Sequence, residues 1–167
     1  TLFRSEKALA IQIEIGDRNR EATSYENLGI VFKSLGKYDK AREYLETALA
    51  IQIEIGDRSR EATSYGNLGV VFKSLSKYDK AREYLETALA IQIEIGDRNG
   101  EATSYHNLGT VFQSLGKYNK AREYLEKALA IQIEIGDRLG EATGYTDLGA
   151  LFISLGKYDK ARDYLER

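Results

Sequence analysis

A period of 40 residues dominates the chain. The segment Asp17–Lys40, DRNREATSYENLGIVFKSLGKYDK, returns at Asp57, Asp97 and Asp137. The segment AREYLETALAIQIEI at Ala41 returns at Ala81 and, with one change, at Ala121. A chain with such a period builds one supersecondary unit several times, and no unit can bury its apolar face without a neighbour.

Each unit carries two helical patterns. In the first, helix A, the residues Ala22, Tyr25, Leu28, Gly29, Phe32 and Leu35 recur at three- and four-residue spacing and fall on one stripe. In the second, helix B, the residues Ala41, Tyr44, Leu45, Ala48, Leu49, Ile51 and Ile55 form a broader apolar face, as expected of a helix touched on more than one side. Gly36 stands where a left-handed residue ends helix A, with Asp39 as the expected N-cap of helix B, and Gly56 with Asp57 repeats that logic. Ser76 replaces the glycine of that first turn and is expected to share its left-handed backbone. The run Ile51-Gln52-Ile53-Glu54-Ile55 alternates like a strand. It follows directly on Ala48-Leu49-Ala50 and has no hairpin partner, so helix is the better reading. Gly29 and Ala41 are small where two helices approach closely. The chain is expected to be one all-α domain, 1–167. It opens on a partial helix B at 1–15, carries complete pairs at 20–55, 60–95 and 100–135, and closes on a shortened pair at 140–167.

Composition removes several functions. Among 167 residues, 43% are hydrophobic, enough for a buried core. The 24 Lys and Arg are interspersed with 26 Asp and Glu, leaving no single-sign field for nucleic acid or an anionic membrane. Cysteine is absent, so disulfides and thiolate chemistry are excluded. No run approaches the roughly 20 apolar residues that cross a bilayer, and Thr1–Lys7 lacks a signal-peptide layout. The default location is the cytoplasm. Methionine is absent too, including an initiator, which suggests a piece of a longer protein.

The residues Tyr25-x2-Leu28-Gly29-x2-Phe32, Leu35-Gly36-x-Tyr38-x2-Ala41 and Leu45-x2-Ala48 resemble the tetratricopeptide signature, in every unit and over nearly the whole chain. Tyr stands where that family often has Trp, and Ile53 where it often has Pro. The 40-residue unit with Ile-Gly-Asp-Arg at its junction looks most like the long repeats of Pins-type G-protein-signalling modulators. The resemblance implies a right-handed superhelical solenoid of stacked antiparallel helix pairs, with a concave groove lined by A helices that takes extended or helical peptides.

Catalysis has little to work with. His106 is the only histidine, and no repeated acid opposes it. Arg42 and Glu46 read as an i,i+4 surface pair, and the Gly-Asp-Arg junction lacks the context of a phosphate loop. No catalytic, cofactor or metal residue is expected, and the chain is read as a non-enzyme.

The units differ mainly on helix A. Equivalent positions hold Glu26, Gly66, His106 and Thr146; Ile30, Val70, Thr110 and Ala150; and Lys33, Lys73, Gln113 and Ile153. Offsets of four and three residues set these on one stripe with Thr23, Thr63 and Thr103, separate from the core stripe. Positions of helix B read as exposed, including Arg42, Gln52 and Glu54, do not vary. By resemblance the stripe lines the groove, and Asn27, Asn67, Asn107 and Asp147 are similar to the amides with which family members bond peptide backbones. The family's carboxylate clamp is not reproduced. The expected function is a protein-interaction scaffold binding a peptide or partner segment; the alternative is a structural or self-assembling repeat module with no groove ligand. The two cut ends, with Ala8, Ile11 and Ile15 at one and Tyr145 and Leu148 at the other, would allow head-to-tail self-association.

Overall fold

The computed structural model describes residues 2–166, with side chains from Lys7 onward. Those residues form nine helices: α1 (Leu2–Ile15), α2 (Arg18–Ser34), α3 (Tyr38–Ile55), α4 (Arg58–Ser74), α5 (Tyr78–Ile95), α6 (Arg98–Ser114), α7 (Tyr118–Glu134), α8 (Arg138–Ser154) and α9 (Tyr158–Leu165). The fold is all-helical, with helices adjacent in sequence packed on one another. Two compact units divide it, residues 1–91 and 92–167. In the first, α1 packs on α2, α2 on α3 and α3 on α4; in the second, α6 packs on α7, α7 on α8 and α8 on α9.

The turns follow from glycine and aspartate. Gly36 and Gly56 adopt φ of 70° and 74°, and Ser76 takes the same left-handed backbone at φ 57°. The Asp57 carboxylate then accepts from Arg60 N at 3.0 Å and caps α4, and Asp17 does the same for α2. Helix B starts differently from its sequence reading. Lys37 occupies the N-cap of α3 with no side-chain bond, and Asp39 lies inside the first turn, where its charge meets the positive end of the helix. The turn at Gly36 redirects the backbone so soon that the helix begins before the aspartate is reached. The alternating Ile51–Ile55 run is helical throughout.

Leu28, Leu45, Leu68 and Leu85 are fully buried, and Leu108, Leu125 and Leu148 match them in the second unit. Gly29 is what lets the pairs close: a Cβ there would stand 2.6 Å from Leu45 Cγ and 3.3 Å from the Ala41 carbonyl. Phe32 stacks on Tyr44 at 5.2 Å between centroids, and Lys40 Nζ lies over the Phe32 ring, 5.4 Å from its centroid. Leu35, read as a core residue, is 57% exposed because it already belongs to the turn. Val71, Val111 and Leu151 are fully buried without having stood out in the sequence. Their equivalent Val31 is 41% exposed: α4 has α2 beside it, whereas no A helix precedes α2 among the described residues.

Candidate functional groove of the A helices

The variable stripe of helix A is partly accessible, and its side chains reach to the neighbouring helices of their own unit. In the first unit Lys33 Nζ donates to Asn67 Oδ1 at 3.1 Å, from α2 to α4. Gln52 Nε2 on α3 donates to Glu26 Oε2 at 3.3 Å, and the Arg60 guanidinium on α4 donates to the Thr23 hydroxyl. Burial pushes the Glu26 carboxyl up, and Asp57 adds to this; Arg60 and the Gln52 hydrogen bond pull it back. Burial also lowers the Lys33 ammonium. Ile30, Val70 and Lys73 are half-buried, whereas Asn27 and Thr63 are exposed.

The second unit holds a different set. His106 Nδ1 lies 3.3 Å from Asp147 Oδ2, bridging α6 and α8. Asn107, Thr110 and Gln113 are half-buried; Thr103, Thr146, Ala150 and Ile153 are exposed, Ile153 at 48%. Several hydroxyls on this face are already engaged by their own helix. Thr23 donates to the Asn19 carbonyl at 2.9 Å, Thr63 to Ser59 at 3.1 Å, Thr103 to Asn99 at 3.0 Å, Thr110 to Asn107 at 2.8 Å and Thr146 to Ala142 at 2.9 Å. What remains for a ligand is a set of amides and charges already paired with one another, interleaved with small apolar side chains.

Sequence reasoning missed two contributors. Gln52, taken as an exposed position of helix B, is fully buried behind Glu26. Its equivalents Gln12 and Gln92 accept hydrogen bonds from Ser24 at 2.5 Å and Ser104 at 2.6 Å, so a Gln–Ser bridge, half-buried in the first case and buried in the second, ties helix B to the next helix A. Arg60 was missed as well, although the series Arg20, Arg60, Gly100 and Gly140 varies as the groove does and could have signalled it. Among the described residues no group of three or more His, Asp or Glu could hold a metal ion, and no helix is long and apolar enough to cross a membrane.

A family model for the tetratricopeptide repeat matches residues 4–54, 31–94, 60–134 and 100–167. Among solved structures, BtubC (BKLC) from P. vanneervenii is 28% identical with a TM-score of 0.81, over 90% of this chain and 62% of that one. The putative kinesin light chain repeats of Podosopora anserina, described as nearly identical TPR-like repeats, are 22% identical with a TM-score of 0.81, over 99% and 82% of the two chains. A Rap protein complexed with competence and sporulation factor is 23% identical with a TM-score of 0.81, over 87% of this chain and 40% of that one. The chain thus spans under two thirds of the length of BtubC and of the Rap protein. No curated protein sequence matches it.

Proposed function

Because the chain belongs to the tetratricopeptide repeat family, whose repeats mediate protein–protein interaction, we propose that it is a non-enzymatic scaffold that holds a peptide or partner segment against its A helices. The observation that carries this reading is the half-buried polarity of that face. Lys33 and Glu26 are kept partly out of water at a cost to their charged forms, on the surface where the units differ most. A partner's backbone amides can take over the bonds that Lys33, Asn67 and Asn107 offer, and the apolar positions Ile30, Val70, Ala150 and Ile153 supply shape. A solved Rap protein with a bound factor gives the fold a precedent for holding a partner.

The second reading, a structural module, is favoured by the same pairs. Lys33 bonds to Asn67 and His106 stands 3.3 Å from Asp147, so one A helix meets the next without a ligand. Peptide display against the chain, followed by hydrogen exchange with the selected peptide, separates the two. Scaffold function expects peptides whose binding slows exchange in A helices and is lost in Lys33→Glu. Failure to select any peptide, with Lys33→Glu changing only stability, would favour the module. The proposed location remains the cytoplasm, and self-association through the ends is proposed only for the module.

A further inference from the structure

The exposed side of helix B bears a second pattern, independent of the groove. On α3, Glu43, Glu46, Ala50 and Ile53 follow one another at three- and four-residue steps, so they share one stripe, and all four are exposed. On α7, Glu123, Glu126, Ala130 and Ile133 do the same. Ile13, Ile53, Ile93 and Ile133 are 49%, 50%, 53% and 48% exposed, so isoleucine is held half in water at four equivalent places. The stripe is identical in α3, α5 and α7, while the A helices differ at two groove positions in every unit and at a third in all but the first two, where Lys33 and Lys73 match. Shared ancestry of the units would leave both faces equally alike. Other exposed positions, such as Lys37, Lys40 and Glu54, are constant as well, so what sets this stripe apart is an exposed isoleucine kept beside exposed carboxylates in each unit.

The chemistry of that demand can be read from the charges. Each stripe has one loosely held cation for two carboxylates: Arg42 Nε is 4.0 Å from Glu46 and Arg122 Nε 3.8 Å from Glu126, surface pairs too long for a charge-assisted hydrogen bond and only weakly stabilising. Lys127, beside the α7 stripe, lies instead 5.4 Å and 5.6 Å from the Tyr105 and Tyr124 ring centroids. Thr47 turns its hydroxyl to the Glu43 carbonyl at 3.0 Å. Each helix B thus presents two carboxylates at one end and an alanine with an isoleucine at the other.

We propose that this face binds a cationic amphipathic helix of a partner protein. Two Lys or Arg residues one turn apart oppose Glu43 and Glu46, and an apolar turn covers Ala50 and Ile53. A second copy docking stripe to stripe would set carboxylates against carboxylates if parallel and against Ala50 and Ile53 if antiparallel, offering them no cation in either case, and an anionic lipid surface would repel them. The surface is separate from the groove, so a scaffold using both would hold two partners at once.

The test titrates the full chain, by fluorescence anisotropy, into a labelled synthetic helix of Lys and Leu arranged on two faces, about 18 residues or roughly five turns long. Two controls are the same composition scrambled and a Glu/Leu counterpart. Binding of the first peptide alone is expected. The triple change Ile53→Ser, Ile93→Ser and Ile133→Ser should weaken it about tenfold or more, as should Glu46→Lys with Glu126→Lys, while Lys33→Glu in the groove leaves it unchanged. Circular dichroism confirms that each variant folds. Equal binding of the scrambled peptide, indifference to the isoleucine changes, or loss on Lys33→Glu would each overturn the proposal. So would a free chain whose mass rises with concentration through these isoleucines, because the occupant would then be a second copy.

Discussion

Gly144 stands where Ser24, Ser64 and Ser104 carry a hydroxyl. Ser24 and Ser104 give that hydroxyl to Gln12 and Gln92, whereas Gln132 Oε1 is buried with no hydrogen-bond partner; Gln52 Oε1 and Ser64 Oγ are also unbonded, so a serine permits this bond without enforcing it. A Cβ at 144 would lie 3.1 Å from that oxygen and 3.1 Å from Leu129 Cδ1, close enough to bond after a small adjustment. Gly144→Ser should therefore stabilise the fold by about 1 kcal/mol, from a satisfied acceptor and better helix propensity. Urea unfolding reads this directly, and a loss would mean that Leu129 cannot yield. Glu26 gives a pH dependence of known sign. Its carboxyl is pushed up chiefly by burial, so as pH rises the unfolded chain ionises first and folding loses stability until the folded form ionises too. Relative to Glu26→Gln, the parent should be most stable in acid and lose that advantage as pH rises through and above the ordinary carboxylate range. A difference in Tm that stays flat across this range would show that Glu26 is fully relieved by Arg60.

At the scale of the helices, two glycines of one element make opposite predictions. A Cβ on Gly69 would stand 2.6 Å from Leu85 Cγ and 3.2 Å from the Ala81 carbonyl, whereas one on Gly66 meets nothing within 4 Å. Gly69→Ala should cost about 2 kcal/mol despite its gain in propensity, and Gly66→Ala should stabilise by up to about 1 kcal/mol. Measuring both by thermal unfolding separates close approach from propensity. The helices and turns were legible in the sequence because the period repeats every local signal: Gly36, Gly56 and Ser76 mark turns by position, and Leu28, Leu45 and Phe32 mark the core by spacing. Leu35 was misread because the helical period runs on past the point where the chain enters the turn, and Gln52 because polarity is a local property whereas its burial is set by which helix lies alongside. Asp39 was misread because a left-handed residue shifts a helix start by more than a cap preference can. In the groove, the stripe positions were readable from differences between units. Their pairing was not, since Lys33 meets Asn67 only across two helices. The partner is not written in either.

For the whole molecule, the absence of proline makes a kinetic prediction. No X-Pro bond exists to isomerise, and most contacts join helices adjacent in sequence. Refolding followed by stopped-flow circular dichroism should lack any phase of tens of seconds and be indifferent to a prolyl isomerase. A slow phase that grows with protein concentration would point to association; one that does not would point to mispairing among near-identical helices. The left-handed residue and capping aspartate at each B-to-A turn carry a further consequence. Joining Gly56 directly to Asp97 recreates a junction that the chain already contains, Gly followed by Asp-Arg, so residues 57–96 can be removed without inventing a new turn. Length in this protein is therefore quantised: the gene can count in steps of one helix pair, losing or gaining whole steps by unequal exchange between near-identical stretches, with every junction left as it was.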